Sequence, residues 1–201
     1  MDFSLSPELS DLRSQVRTLV DEHVIPAEAA ILEEDALGRD ETMQRLRGMA
    51  RSAGLWTPHL PPEHGGRGLG VMGMSVLFRE MGRSLVGPSV FGCDAPDQGN
   101  MDLLIKAASP MIKARYLAPL CAGEITSAFC MTEPAPGAGA DPRNLRTTAT
   151  RDGDGWRIDG HKWYSTGGGR AAFLIVMART SDDPREGATL FIVDRHAEGI
   201  T

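Results

Sequence analysis

Two short segments hold residue types that could meet a cofactor. The first is Ala128 to Pro142, AFCMTEPAPGAGADP. Apolar residues run into Thr132, and a Pro/Gly/Ala loop with little side-chain bulk then lets backbone amides approach a ligand closely. Taken alone, this reads as a phosphate or planar-ring cradle, with a plain surface loop or a dinucleotide fold as alternatives. The dinucleotide reading fails, because Gly137-Ala138-Gly139 lacks the third glycine of G-x-G-x-x-G and no crossover helix follows. The second segment is His161 to Arg170, HKWYSTGGGR, with two aromatics, two hydroxyls and three consecutive glycines at a strand end. Such a cluster could lay an aromatic face against a ring and aim a hydroxyl at its heteroatoms. Its plain alternative is a Trp and a Tyr filling a sheet core beside a turn.

The remaining chemistry-bearing types point nowhere. Cys93, Cys121 and Cys130 are odd in number and lack C-x-x-C spacing, so free thiols are expected, without a disulfide framework or zinc ribbon. His59 and His64 are neighbours with no third ligand at metal spacing, and no metal is expected.

The elements that must position these segments change character along the chain. Ser6-Pro7-Glu8 has the form of a helix start, and Leu9, Leu12, Val16, Leu19 and Val20 recur at steps of three and four. Pro26 should kink or end that helix. A second helix fits 40–53, with Asp40 as cap, Met43, Leu46, Met49 and Ala50 inward, and Gly54 closing it. Residues 56–70, WTPHLPPEHGGRGLG, hold three prolines and four glycines and must form a loop. A third helix carries Val76, Leu77 and Met81 to about Arg83, and shorter ones fit 100–107 and 110–120. Near residue 124 the period drops to two, with strands expected at 125–131, 144–151, 155–164, 173–178 and 189–193. Asp152-Gly153-Asp154-Gly155 is a hairpin turn. Helices followed by strands predict an α+β chain: an all-α domain at 1–123 and an antiparallel, barrel-like β domain at 124–201. The last residues, Ile200-Thr201, read as the first step of another strand, so a longer protein is expected.

Length and composition set the outer limits. The 201 residues are 41% hydrophobic and 24% charged, within the globular range. A formal charge of −6 argues against a nucleic-acid partner. Without a long apolar run or a basic-then-apolar start, neither a membrane span nor a signal peptide is indicated, and a cytoplasmic protein is expected.

Together the two segments resemble the acyl-CoA dehydrogenase family, whose flavin-binding strands carry C-x-T-E-P and K-x-[WYF]-x-T-x-G. Here these read Cys130-Met131-Thr132-Glu133-Pro134 and Lys162-Trp163-Tyr164-Ser165-Thr166-Gly167. The L-P-P-E-H-G-G-R-G loop at 60–68, the G-E-I-T-S-A-F-C entry at 123–130 and the I-D-G-H-K-W stretch extend the likeness over the whole chain. Residues 93–101, CDAPDQGNM, further resemble the subfamily fused to a kinase-like domain in eukaryotes, which hints at long or hydroxylated acyl chains.

The resemblance implies FAD as cofactor and α,β-dehydrogenation of an acyl-CoA, as in fatty acid β-oxidation. A carboxylate removes the α-proton, the β-hydrogen leaves as hydride to flavin N5, and electrons pass to an electron-transfer flavoprotein. Carried over by position, Phe129, Cys130, Met131 and Thr132 line the flavin, Tyr164 packs on the ring, Ser165 lies beside it and Thr166 hydrogen-bonds near N5. Gly139 and Ala140 border the pyrophosphate and the thioester arm, with Ala140 also a substrate contact. Two departures stand out: Ala135-Pro136 are inserted in the family's T-E-P-G-A-G-S-D, and Ala140 replaces its serine. The family's catalytic glutamate lies in a C-terminal helical bundle that this sequence does not reach, so the base is unassigned, Glu133 is read as bracing its loop, and the chain alone is expected to be inactive. A homodimer or homotetramer is implied. The alternatives are a flavin monooxygenase or oxidase on the same fold, or a non-catalytic half completed by a partner chain.

Overall fold

The computed structural model describes residues 4–36, 40–183 and 186–201. These fall into two compact units, Met1–Asp94 and Ala95–Thr201.

The first unit is helical. Helix α1 (Pro7–Leu19) begins where expected: the Ser6 hydroxyl oxygen accepts from the Leu9 amide at 3.2 Å, and Pro7 takes the first turn. Its stripe of Leu12, Val16 and Leu19 is buried. Pro26 does not end the helix. The chain widens into a π turn at Val20–Val24, and the Ile25 amide donates to Val20 O, five residues back. That turn absorbs the hydrogen bond that the proline ring cannot make, and α2 (Ile25–Ala36) continues beyond it.

Helix α3 (Glu41–Ser52) is capped from outside, since Asp40 makes no side-chain cap bond. The Glu34 carboxylate accepts from the Thr42 amide at 2.8 Å and from its hydroxyl at 2.6 Å. The 56–70 segment is the expected loop, with Leu60 wholly buried beneath it. Helix α4 (Val71–Met81) and the short α5 (Gly87–Val90) complete a core of Val16, Val20, Leu46, Ala50, Leu77, Met81, Val90 and Phe91. Glu80, only 4% exposed, is paired with Arg17 at 3.2 Å and Arg83 at 3.7 Å.

The second unit joins helices to a sheet. Helix α6 (Asp97–Ala107) starts three residues earlier than its apolar pattern suggests, and Asp97 shows why: its Oδ1 accepts from the Ser127 amide at 2.8 Å. Asn100 donates to the Ser127 hydroxyl at 2.9 Å. Helix α7 (Pro110–Ile112), a second π turn at Lys113–Leu117 and α8 (Ala118–Ala122) follow, and Tyr116 packs on Phe173 with ring centroids 4.7 Å apart.

The five strands are β1 (Ser127–Cys130), β2 (Thr148–Asp152), β3 (Gly155–Asp159), β4 (Phe173–Arg179) and β5 (Ala188–Asp194). Helices precede strands as the change of period predicts, but the sheet is mixed where a purely antiparallel one was expected. Strand β4 pairs antiparallel with β5 along one edge, and on its other edge it meets β1 and the start of β2 in parallel. The connection from β1 to β4 contains the whole β2–β3 hairpin, long enough to bring the chain back to its starting end, which parallel pairing requires. In that hairpin Asp152 faces Gly155, and Gly153 at φ 58° supplies the positive φ of the turn. Three expected strands are shorter than their sequence pattern, β1 by losing residues at both ends. Residues 142–144 form a 3-10 turn ahead of β2, and β3 stops at Asp159. Just past that end the chains run closer than side chains permit: a Cβ on Gly160 would lie 2.3 Å from Thr147 Oγ1, so the approach there requires glycine.

Candidate functional site

The two motif segments meet beyond the ends of β1 and β3. The Trp163 amide donates to Thr132 O at 3.1 Å, and Lys162 Nζ donates to Met131 O at 3.0 Å. Successive residues of one segment therefore hold successive carbonyls of the other.

Beneath this seam lies Glu133, 2% exposed. Its Oε1 accepts from Lys162 Nζ at 2.9 Å and the Thr147 amide at 2.8 Å. Its Oε2 accepts from the Arg146 amide at 2.8 Å and the Ala138 amide at 3.1 Å. The Glu133 amide in turn donates to Gly139 O at 3.1 Å, which closes the Pro/Gly/Ala loop. Burial by itself would raise the carboxyl, but the neighbouring Thr147 hydroxyl, the two amides and the ammonium outweigh it and hold it well below the usual carboxylate range. A carboxylate so held is a structural anion; it cannot serve as a proton-abstracting base.

Above the seam the backbone is strained and the aromatics are exposed. Tyr164 sits at φ 52°, where L side chains are disfavoured, and is 79% exposed. Trp163 is 41% exposed, and the two ring centroids lie 4.8 Å apart at a tilt of 44°. The Thr166 amide donates to Tyr164 O at 3.0 Å and the Gly168 amide to Ser165 O at 2.9 Å, so the chain turns into the glycine run with Thr166 exposed. Two large exposed aromatics, Tyr164 held in a disfavoured backbone beside Trp163, form a ledge suited to a planar ring, with hydroxyls at its rim.

Residues 6–124 match the acyl-CoA dehydrogenase N-terminal domain and residues 128–201 the acyl-CoA dehydrogenase middle domain. The chain belongs to the acyl-CoA dehydrogenase family. It is 35% identical to FadE2 of Mycobacterium tuberculosis, described as a probable acyl-CoA dehydrogenase, over 100% of this chain and 51% of that protein. It is also 35% identical to mouse acyl-CoA dehydrogenase family member 11, over 89% of this chain and 24% of the mouse protein. A solved Mycobacterium abscessus structure assigned to the acyl-CoA dehydrogenases superposes with a TM-score of 0.89 at 36% identity, covering 98% of this chain and 52% of that one. The chain thus spans about half the length of its bacterial relatives.

In this member of the acyl-CoA dehydrogenase family the expected site residues have distinct placements. Thr132 is half-buried at the seam, and Tyr164 and Thr166 are exposed on the ledge with Ser165 half-buried between them. Half-buried Phe129 on β1 and Met131 just past its end alternate with buried Ala128 and Cys130. Cys130 packs into a core cluster with Ala128, Ala171, Leu174 and Val176, so only its backbone is available at the seam. Burial pushes its thiol up, against a lowering by the Ser165 hydroxyl and Lys162. Gly139 is half-buried and Ala140 exposed, with open space where a Gly139 side chain would point. Sequence reasoning missed Trp163 as the second exposed ring and Lys162 as the partner of Glu133. Both lie inside the motif, but nothing in residue type says that a Lys 29 positions from a Glu will be buried beside it.

Proposed function

We propose that this chain supplies the flavin ledge of an FAD-dependent dehydrogenase acting on an acyl-CoA thioester. The observation that carries the reading is Tyr164, left-handed in backbone and almost fully exposed, beside Trp163 and above the Thr132–Trp163 seam. The donor set suits FAD: aromatic faces for the isoalloxazine, and the Thr132 and Thr166 hydroxyls for its heteroatoms. When bound, FAD would accept the β-hydrogen of the acyl chain as hydride. Thr132, Tyr164, Ser165 and Thr166 orient the ring, with Phe129, Met131 and the Cys130 backbone beside it. Their donors stabilise negative charge gathering on it. Gly139 and Ala140 border the pyrophosphate and the thioester arm. The α-proton goes to a base outside this set, since Glu133 is saturated by donors.

Under the same reading, electrons leave to an electron-transfer flavoprotein, the working state is a homodimer or homotetramer, and the functional division falls at 1–123 and 124–201. Three free thiols suit a reducing compartment, so we place the protein in the cytoplasm. Among the described residues, no helix is long and apolar enough to cross a membrane.

Titrating FAD into the purified protein, with quenching of flavin fluorescence as readout, tests the ledge. Tyr164→Gly should leave folding stability within about 1 kcal/mol, since glycine tolerates the positive φ. Losing the aromatic face should weaken FAD on the order of 10-fold. Unchanged affinity in that variant, or no binding by the parent, would reject the reading.

A further inference from the structure

Resting on that flavin reading, we propose that the buried Glu133–Lys162 ion pair sets both the position and the electrostatics of the ledge. It acts through the backbone and touches no part of the cofactor. Lys162 Nζ is shared between Glu133 Oε1 at 2.9 Å and Met131 O at 3.0 Å, and the next amide, Trp163, holds Thr132 O at 3.1 Å. One ammonium therefore fixes the register of the segment carrying Met131 and Thr132 against the segment carrying Tyr164 and Thr166. The other acceptor positions of Glu133 hold Ala138, Arg146 and Thr147, so the loop carrying Gly139 and Ala140 is ordered by the same carboxylate.

Both side chains are desolvated, at 10% exposure for Lys162 and 3% for Glu133. Burying a full pair costs more than tying two segments with apolar contacts, and such pairs are retained where register matters. The pair is also electrically neutral as a unit and one residue from Thr132 in one segment, two from Tyr164 in the other. Removing either charge leaves the opposite one in low dielectric close to the ring, where it adds to or subtracts from the stabilisation of negative charge there. Glu133 and Lys162 are thus positioning residues, and the two halves of the pair should act with opposite signs.

The experiment is a spectroelectrochemical titration of the flavin midpoint potential in the FAD-loaded protein, beside FAD affinity, for E133Q, K162M and the double variant. E133Q, which leaves the cation, should raise the potential; K162M, which leaves the anion, should lower it. The double variant should return close to the parent, and each variant should bind FAD on the order of 10-fold more weakly, as loss of an orienting outer partner does at metal sites. A purely structural role moves stability but gives no opposed shifts in potential. Potentials that move the same way in the two single variants, or not at all, overturn the proposal. K162M keeps three amide donors on Glu133 and the double variant leaves no lone buried charge, so these two decide the matter if E133Q does not fold. A parent that binds no FAD would bring down the flavin reading and the proposal with it, whereas bound FAD with unmoved potentials removes the proposal alone.

Discussion

Glu133 concentrates the physics of the site in one side chain. Its carboxyl is depressed from an ordinary value of 4.5, with burial opposed by the Thr147 hydroxyl, the Arg146 and Thr147 amides and Lys162. A group lowered on folding adds stability that is fully present above its unfolded value and is lost as the pH falls towards its folded one. Urea-unfolding midpoints should therefore carry a Glu133 contribution that holds from neutral pH down to 4.5 and declines below it. In E133Q that part of the acid slope should vanish, while the variant starts about 3 kcal/mol less stable because Lys162 is left buried and unpaired. Parallel acid slopes for parent and variant would contradict the arrangement. Tyr164 shows the reverse economy, since an exposed ring held at positive φ adds little to folding, which is what the ring-binding role proposed for it requires.

At the scale of elements, sequence patterns predicted kinds better than limits. The α1 stripe, the Asp152–Gly155 hairpin and the buried β4 run are all present, because periodicity and turn chemistry act over a few residues. The early start of α6 at Asp97 and the close approach just past β3 each depend on a partner that no local window contains, while the extension of the first helix past Pro26 rests on a five-residue hydrogen bond that a 3.6-residue period does not reveal. The close approach can be tested directly. Gly160→Ala would place a methyl 2.3 Å from Thr147 Oγ1, beside residues that hold Glu133. It should cost about 1–3 kcal/mol in chemical denaturation, as overpacking does. Thr147→Ser should recover part of that loss by removing the methyl Cγ2 that a Gly160 Cβ would also meet at 2.6 Å. A neutral Gly160→Ala would mean that the approach does not require glycine.

For the molecule as a whole, both compact units keep their thiols inside: Cys93 in the first, Cys121 and Cys130 in the second. Burial, with the Asp94 charge added, pushes Cys93 up to about 12, and burial raises Cys121 to about 11. Such thiols are neutral at physiological pH and inaccessible, hence poor nucleophiles. A thiol reagent should leave all three unmodified in the native protein over the time in which it labels all three in urea. Rapid native labelling of any one would show that its unit opens locally.

The amino-acid sequence by itself determined the order of helices and strands, the free state of the cysteines, the hairpin and the family, because each is written in residue types over short spans. It also brought forward both motif segments. Only the tertiary structure decided that β1 runs parallel to β4, that Cys130 faces the core, and that Glu133 and Lys162 meet in a buried pair beneath Tyr164. Those outcomes depend on which distant residues share a dehydrated space, and desolvation, ion pairing and steric exclusion have no magnitude until the chain has closed around them.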